Sequence, residues 1–134
     1  MKIFVTWLIG TLVAFGILGG SYHLSLTGDP RKVVVVVDSS YPMTNMWPRV
    51  PQILKELGDE RYTVFSLLTE KNGVHGWKAR LDLGQMTPYG PRDFEKLLVS
   101  QAFPEIAEAA RIYFITNAPA SDLKPFDDWE IVRP

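Results

Sequence analysis

The sequence predicts an α/β fold: a small three-layer sandwich with a mostly parallel central sheet and one antiparallel edge hairpin strand, preceded by one N-terminal transmembrane helix. Three observations predict it. Val33 to Val37 are five consecutive valines, a β-branched run that suits a strand buried on both faces between covering helices. Asn72-Gly73 separates two strand-like runs, as in an antiparallel hairpin. The opening stretch, Ile3 to Gly28, holds no Asp, Glu, Lys or Arg.

That opening reads as a single-pass signal anchor. Ile3 to Leu18 is apolar apart from Thr6 and Thr11, whose hydroxyls can bond back to the helix, and about 20 such residues cross a hydrocarbon core of about 30 Å. We place the helix from Ile3 to about Tyr22, within a segment 1–24, with Trp7 and Tyr22 as interfacial anchors. Gly10, Gly16 and Gly20, with Thr6 and Ala14, put small residues four apart, a spacing that lets a second helix approach closely in lipid. The rival is a cleaved signal peptide cut near Gly19-Gly20-Ser21; its usual apolar core is shorter than this one. The positive-inside comparison, Lys2 against Arg31 and Lys32, is nearly even, so the shortness of the N-terminal tail places the C-terminal domain outside the cytoplasm, in the periplasm if the source is bacterial.

Residues 25–31 read as a short polar linker and 32–134 as one domain, since the 134-residue chain leaves room for a single core. After the valine strand, Val50, Ile53, Leu54 and Leu57 share one helical face, with Pro51 in the first turn and Gly58 at the C-cap. Tyr62 to Leu68 is a second strand, and Glu70-Lys71-Asn72-Gly73 a turn whose Asn-Gly accepts positive φ. Val74 to Leu83 is the returning strand. Phe94, Leu97, Leu98 and Ala102 form a helical stripe from Pro91, and Pro104 opens a shorter helix to Ala110. Arg111 to Asn117 is a buried strand. Ala118 to Asp128 is long enough for a crossover to a last strand, Trp129 to Val132.

Composition excludes several functions. Hydrophobic residues make up 46% and charged residues 22%, which implies a folded core. Lys2 is the only Lys or Arg before Asp29, so of 14 basic and 15 acidic residues the remainder carries 13 against 15 and offers no basic face for nucleic acid. The absence of cysteine removes disulfides, thiolate metal sites and thiol nucleophiles. His23 and His75 have no neighbouring Ser-Asp pattern, Asp59-Glu60 and Asp127-Asp128 sit in turn-like stretches, and no glycine-rich phosphate loop is present. The expectation is a non-catalytic chain.

In sheets of this kind ligands meet the C-terminal ends of the central strands. Two loops qualify: Asp38-Ser39-Ser40-Tyr41-Pro42-Met43 and Thr116-Asn117-Ala118-Pro119. A buried valine strand running into Asp-x-Ser-x-x-Met, the hairpin after the second strand and the Thr-Asn ending of the later strand together resemble a von Willebrand factor A (vWA) domain, over roughly Lys32 to Val132. The resemblance implies a metal-ion-dependent adhesion site with Asp38, Ser40 and Asn117 in ligand positions and Mg²⁺ as the usual ion. Pro42 replaces the family's second serine and Asn117 its aspartate, while Thr87 is a poor match for the family's threonine. One carboxylate with neutral helpers is a weak site for a hard cation, so the expectation is a degenerate site, with no cofactor needed. The alternative is that Asp38 and Ser40 tie down the loop and cap the following helix.

Tyr41, Met43, Met46 and Trp47 crowd the first loop and could anchor a partner surface, or else fold back over the sheet. The expected function is therefore a membrane-anchored extracytoplasmic protein-interaction module, its partner another protein, most naturally in the same membrane. The alternative is an accessory, structural single-span subunit of a larger membrane complex.

Overall fold

The computed structural model describes residues 1–99 and 101–134 and divides into two units, 1–30 and 31–134. The first is one helix, α1 (Lys2–Gly28). Its 27 residues rise about 40 Å, long enough and apolar enough to cross a membrane. Thr6 and Thr11 return their hydroxyls to the carbonyls of Lys2 and Trp7, both at 2.9 Å, as expected of hydroxyls in an apolar helix. The helix runs past the expected end at Tyr22 and absorbs most of the supposed linker. Thr27 is satisfied in the same way, donating to the carbonyls of His23 and Leu24, so polarity here did not require a loop. Pro30 ends the helix by pushing Asp29 out of the helical region, to φ −134° and ψ 74°.

The second unit is α/β. Its strands are β1 (Arg31–Val37), β2 (Thr63–Thr69), β3 (Gly73–Lys78), β4 (Arg111–Ile115) and β5 (Glu130–Val132). They form one five-stranded sheet in the order β3-β2-β1-β4-β5, parallel except for the antiparallel β2–β3 pair. The valine run is the centre. All five valines are fully buried, Val33, Val35 and Val37 in one hydrophobic cluster and Val34 and Val36 in another. Each buried valine contributes about 1.5–3 kcal/mol relative to leaving it in water.

On the first face the odd-numbered valines meet Met43, Val50, Leu54, Phe65 and Leu67, with α2 (Val50–Leu57) supplying Val50 and Leu54. The second face is aromatic. Phe114 lies edge-on to Phe94 at 5.0 Å, Phe126 at 5.4 Å and Trp129 at 5.8 Å between ring centroids. The helical stripe expected from Pro91 is only one turn, α3 (Glu95–Leu98), after which Val99 is extended. Phe94 and Leu97 reach the core from it, whereas Leu98 is exposed, so the spacing marked buried residues without a long helix to carry them. α4 (Pro104–Glu108) follows, and the crossover before β5 is a 3-10 segment, Ala120–Phe126.

The hairpin also differs from expectation. Neither Asn72 nor Gly73 has positive φ. The turn is organised by Thr69, whose hydroxyl accepts from the backbone N–H of Lys71 (3.2 Å) and Asn72 (3.0 Å) and donates to the Asn72 carbonyl (3.1 Å). β3 stops at Lys78, short of Leu83, after register shifts against β2.

Candidate functional site

Register brings three chain segments to one crest. Val37 is opposite Thr69 in β2 and Ile115 in β4, so Asp38, Glu70 and Thr116 all follow directly at the C-terminal end of the parallel sheet. The order of strand addition reverses about β1, which has β2 on one side and β4 on the other; this is the topological switch point of such a sheet.

Asp38 is fully buried, and both of its carboxylate oxygens are in use. Oδ1 accepts from the Ser40 backbone N–H at 3.0 Å and from the Ser40 hydroxyl. Oδ2 accepts from Thr116 Oγ1 at 2.7 Å and from Arg92 Nε at 3.0 Å. The same guanidinium donates through Nη2 to Asn117 Oδ1, and Asn117 Nδ2 donates to the Pro42 carbonyl at 2.8 Å. Asp38, Ser40 and Asn117 are thus brought together at one end of the sheet. The centre they surround holds the side chain of Arg92. Thr116 is the threonine that bonds to Asp38, while Thr87 is exposed.

A second ion pair, again a buried carboxylate with a partly exposed cation, locks the other side of the same loop. Glu70 is buried and accepts from the Ser39 backbone N–H at 2.8 Å and from the Ser39 hydroxyl. Lys71 Nζ pairs with Glu70, donates to the Ser39 carbonyl at 3.3 Å and lies 4.5 Å from the Tyr89 ring centroid. Ser39, Lys71 and Glu70 could be mistaken for a nucleophile with its base. Ser39 is fully buried, and its hydroxyl faces a carboxylate.

The loop before α3 closes the crest. Tyr89 donates its N–H to the Ser39 carbonyl at 2.8 Å and Tyr41 donates to the Gly90 carbonyl at 3.0 Å. Gly90 has φ +73°, a conformation that favours glycine, and this turn delivers Arg92 to Asp38. Among the described residues no buried side-chain nitrogen or oxygen lacks a partner.

The oxygens around Asp38 do not fit a divalent ion as they are arranged here. The carboxylate already carries a guanidinium on Oδ2, and its hydroxyl neighbours donate to it. A divalent ion added beside Arg92 would meet like charge in a buried setting. Among the described residues no group of three His, Cys, Asp or Glu side chains is placed to hold a metal. The reading in which Asp38 ties down its loop is met by the bond to Ser40. The capping part is not: no side chain caps the 3-10 turn at Tyr41–Met43.

The four loop residues expected at a partner surface separate. Met43 is fully buried in the first-face cluster, and Trp47 packs against that cluster while donating Nε1 to the Met86 carbonyl at 3.0 Å. Both are corrected to core residues, because a small sheet needs them to cover the odd-numbered valines. Met46 is half-buried; Tyr41 is 63% exposed, beside exposed Pro42. On α1, Trp7 and Gly10 line a shallow notch with Thr6, Thr11 and Ala14, while Tyr22 lies on the exposed surface of the helix. Gly16 and Gly20 lie on the same helix, with open space where a Cβ would stand.

Arg92, Glu70, Lys71 and Ser39 were not singled out by sequence. Arg92 comes from a loop 54 positions beyond Asp38, and no local spacing links them. The available signal was electrostatic: an aspartate placed directly after a fully apolar strand requires a counter-charge if it is buried. Comparison of the chain with protein-family models, curated proteins and solved structures gives no match.

Proposed function

We propose that this chain is a membrane-anchored, extracytoplasmic and non-catalytic protein-interaction module with a vWA-like, three-layer domain, and that its partner docks on the crest around Tyr41 without a divalent cation. One observation carries the reading: an exposed tyrosine and proline stand on a loop whose base is fixed by two ion pairs with buried carboxylates, Asp38–Arg92 and Glu70–Lys71. A rigid base under an exposed aromatic suits recognition, since little conformational freedom is lost on docking. The same pairs argue against catalysis at the crest, because each carboxylate is buried and bonded to a cation. Two hydrophobic clusters on opposite faces of the sheet support the three-layer arrangement, and the length and apolarity of α1 support the anchor.

The test is a photo-crosslinking amino acid placed at position 41 of the full-length chain in its native membrane. The expected result is one discrete protein adduct, unchanged by EDTA and absent when the crosslinker replaces Lys124, which is exposed on the crossover. Adducts of equal yield from both positions contradict a specific crest.

The notch at Thr6, Gly10 and Ala14 favours a second reading, an accessory subunit whose helix packs against other spans. Replacing residues 3–22 by an unrelated apolar helix spares the crest adduct in the first reading and abolishes assembly in the second.

A further inference from the structure

We infer that the groove between α3 and the crossover segment, floored by Phe94 and Phe126 and rimmed by Asp93, Glu95 and Asp122, is a second docking face, and that its occupant is a segment of another protein in which a lysine or arginine stands beside an apolar residue. The inference rests on this groove alone and is independent of what docks around Tyr41.

The groove is open to solvent and has a volume of about 340 Å³. Its floor is apolar because two buried rings meet there edge-on, Phe94 and Phe126, with centroids 6.0 Å apart. Leu98 and Pro125 continue the apolar lining. Leu98 is 54% exposed, and Val99, the next residue, is 55% exposed. Among the described residues of 31–134 these two are the only exposed Leu, Ile, Val or Met. The core does not account for Leu98, since Phe94 and Leu97 are the residues that this turn sends inward. An exposed aliphatic pair on a domain that covers the rest marks a place where burial by a partner is favourable.

The rim sets the charge of that partner. Asp93, Glu95 and Asp122 are exposed, and among the described residues none of them forms an ion pair. One Asp93 oxygen accepts the Glu95 backbone N–H at 2.9 Å, which fixes that carboxylate beside the groove. The neighbouring cations leave the rim unbalanced. Arg92 is bonded to Asp38 and Asn117, Lys96 donates to the Lys71 carbonyl at 2.7 Å and lies over the Phe103 ring, and Lys124 is outside the lining. The three carboxylates do not close on one point, as no group of three acidic or histidine side chains among the described residues is placed to hold a metal. Negative charge spread along an apolar floor suits a segment of chain bearing Lys or Arg, and it repels the phosphates of nucleic acid or lipid.

The experiment uses the full-length chain in phosphatidylcholine nanodiscs and, as probe, a random dodecapeptide library displayed on phage and depleted on empty discs. The selected peptides are expected to carry Lys or Arg next to Leu, Ile or Phe. Fluorescence anisotropy of the synthesised consensus peptide then compares variants whose melting temperatures match wild type, as substitutions at exposed positions should. D93N/E95Q/D122N is expected to weaken binding by about tenfold, and added salt to weaken wild type more than this variant. Leu98→Ser weakens binding by several-fold with no change of charge. The matched control E56Q/D59N/E60Q removes three exposed carboxylates elsewhere and stays within about twofold of wild type. A selection without the basic and apolar pairing overturns the inference, as does equal binding by D93N/E95Q/D122N and its control. A library that yields nothing, from a chain that sediments as a dimer dispersed by Leu98→Ser, gives the groove to a second copy and overturns it too.

Discussion

Asp38 is fully buried and carries two hydrogen bonds on each oxygen, so its removal exposes how the crest is balanced. Asp38→Asn leaves Arg92 in place without its carboxylate and is expected to lower unfolding free energy by about 3–5 kcal/mol. Arg92→Gln should do similar damage from the other side, and the double variant D38N/R92Q should recover a substantial part of the summed loss. Denaturant unfolding of the four proteins measures the coupling; losses that add within about 0.5 kcal/mol dissolve the pair. Tyr41→Ala should behave oppositely. Its side chain is exposed, so stability stays within about 0.5 kcal/mol while partner capture by a crosslinker placed at the neighbouring, exposed Pro42 is lost. At this scale the sequence was half legible. Asp38, Ser40 and Asn117 could be found because each lies within three residues of the end of a hydrophobic strand, whereas Arg92 reaches them through a loop whose path no local pattern encodes.

Elements were more legible than the turns that join them. The valine run announces β1 because burial on both faces demands apolar residues at every position. The stripe Phe94, Leu97, Leu98 and Ala102 overstated its helix, since Phe94 and Leu97 reach the core from a single turn and the next core residue, Phe103, comes from outside it. The hairpin offers a direct contrast between two accounts. With no positive φ at position 72, Asn72→Ala should cost little, whereas Thr69→Val removes a hydroxyl serving two N–H groups and a carbonyl and should cost about 1–3 kcal/mol. Thermal melts of the two variants decide between them. A larger loss from Asn72→Ala returns the turn to the Asn-Gly account. Gly90→Ala tests the crest turn in the same way. At φ +73°, with the added Cβ 3.4 Å from Lys71 Cε, it should lose about 1–2 kcal/mol and loosen the delivery of Arg92.

For the whole molecule, the proposed function depends on two properties carried by separate units. The domain supplies a crest set by its own ion pairs, and α1 supplies length and apolarity suited to a bilayer. The second was readable because it follows from hydrophobic patterning, which acts over long stretches; the ion pairs of the crest, which tie distant segments together, were not. A signal sequence satisfies the length and composition requirements as well as an anchor does, so retention of α1 is what separates a tethered module from a secreted one. The decisive measurement is the intact mass of the protein recovered from membranes after an alkaline carbonate wash. The account predicts a membrane-retained chain that still contains residues 3–28. A chain that begins near Ser21 and leaves with the wash contradicts it.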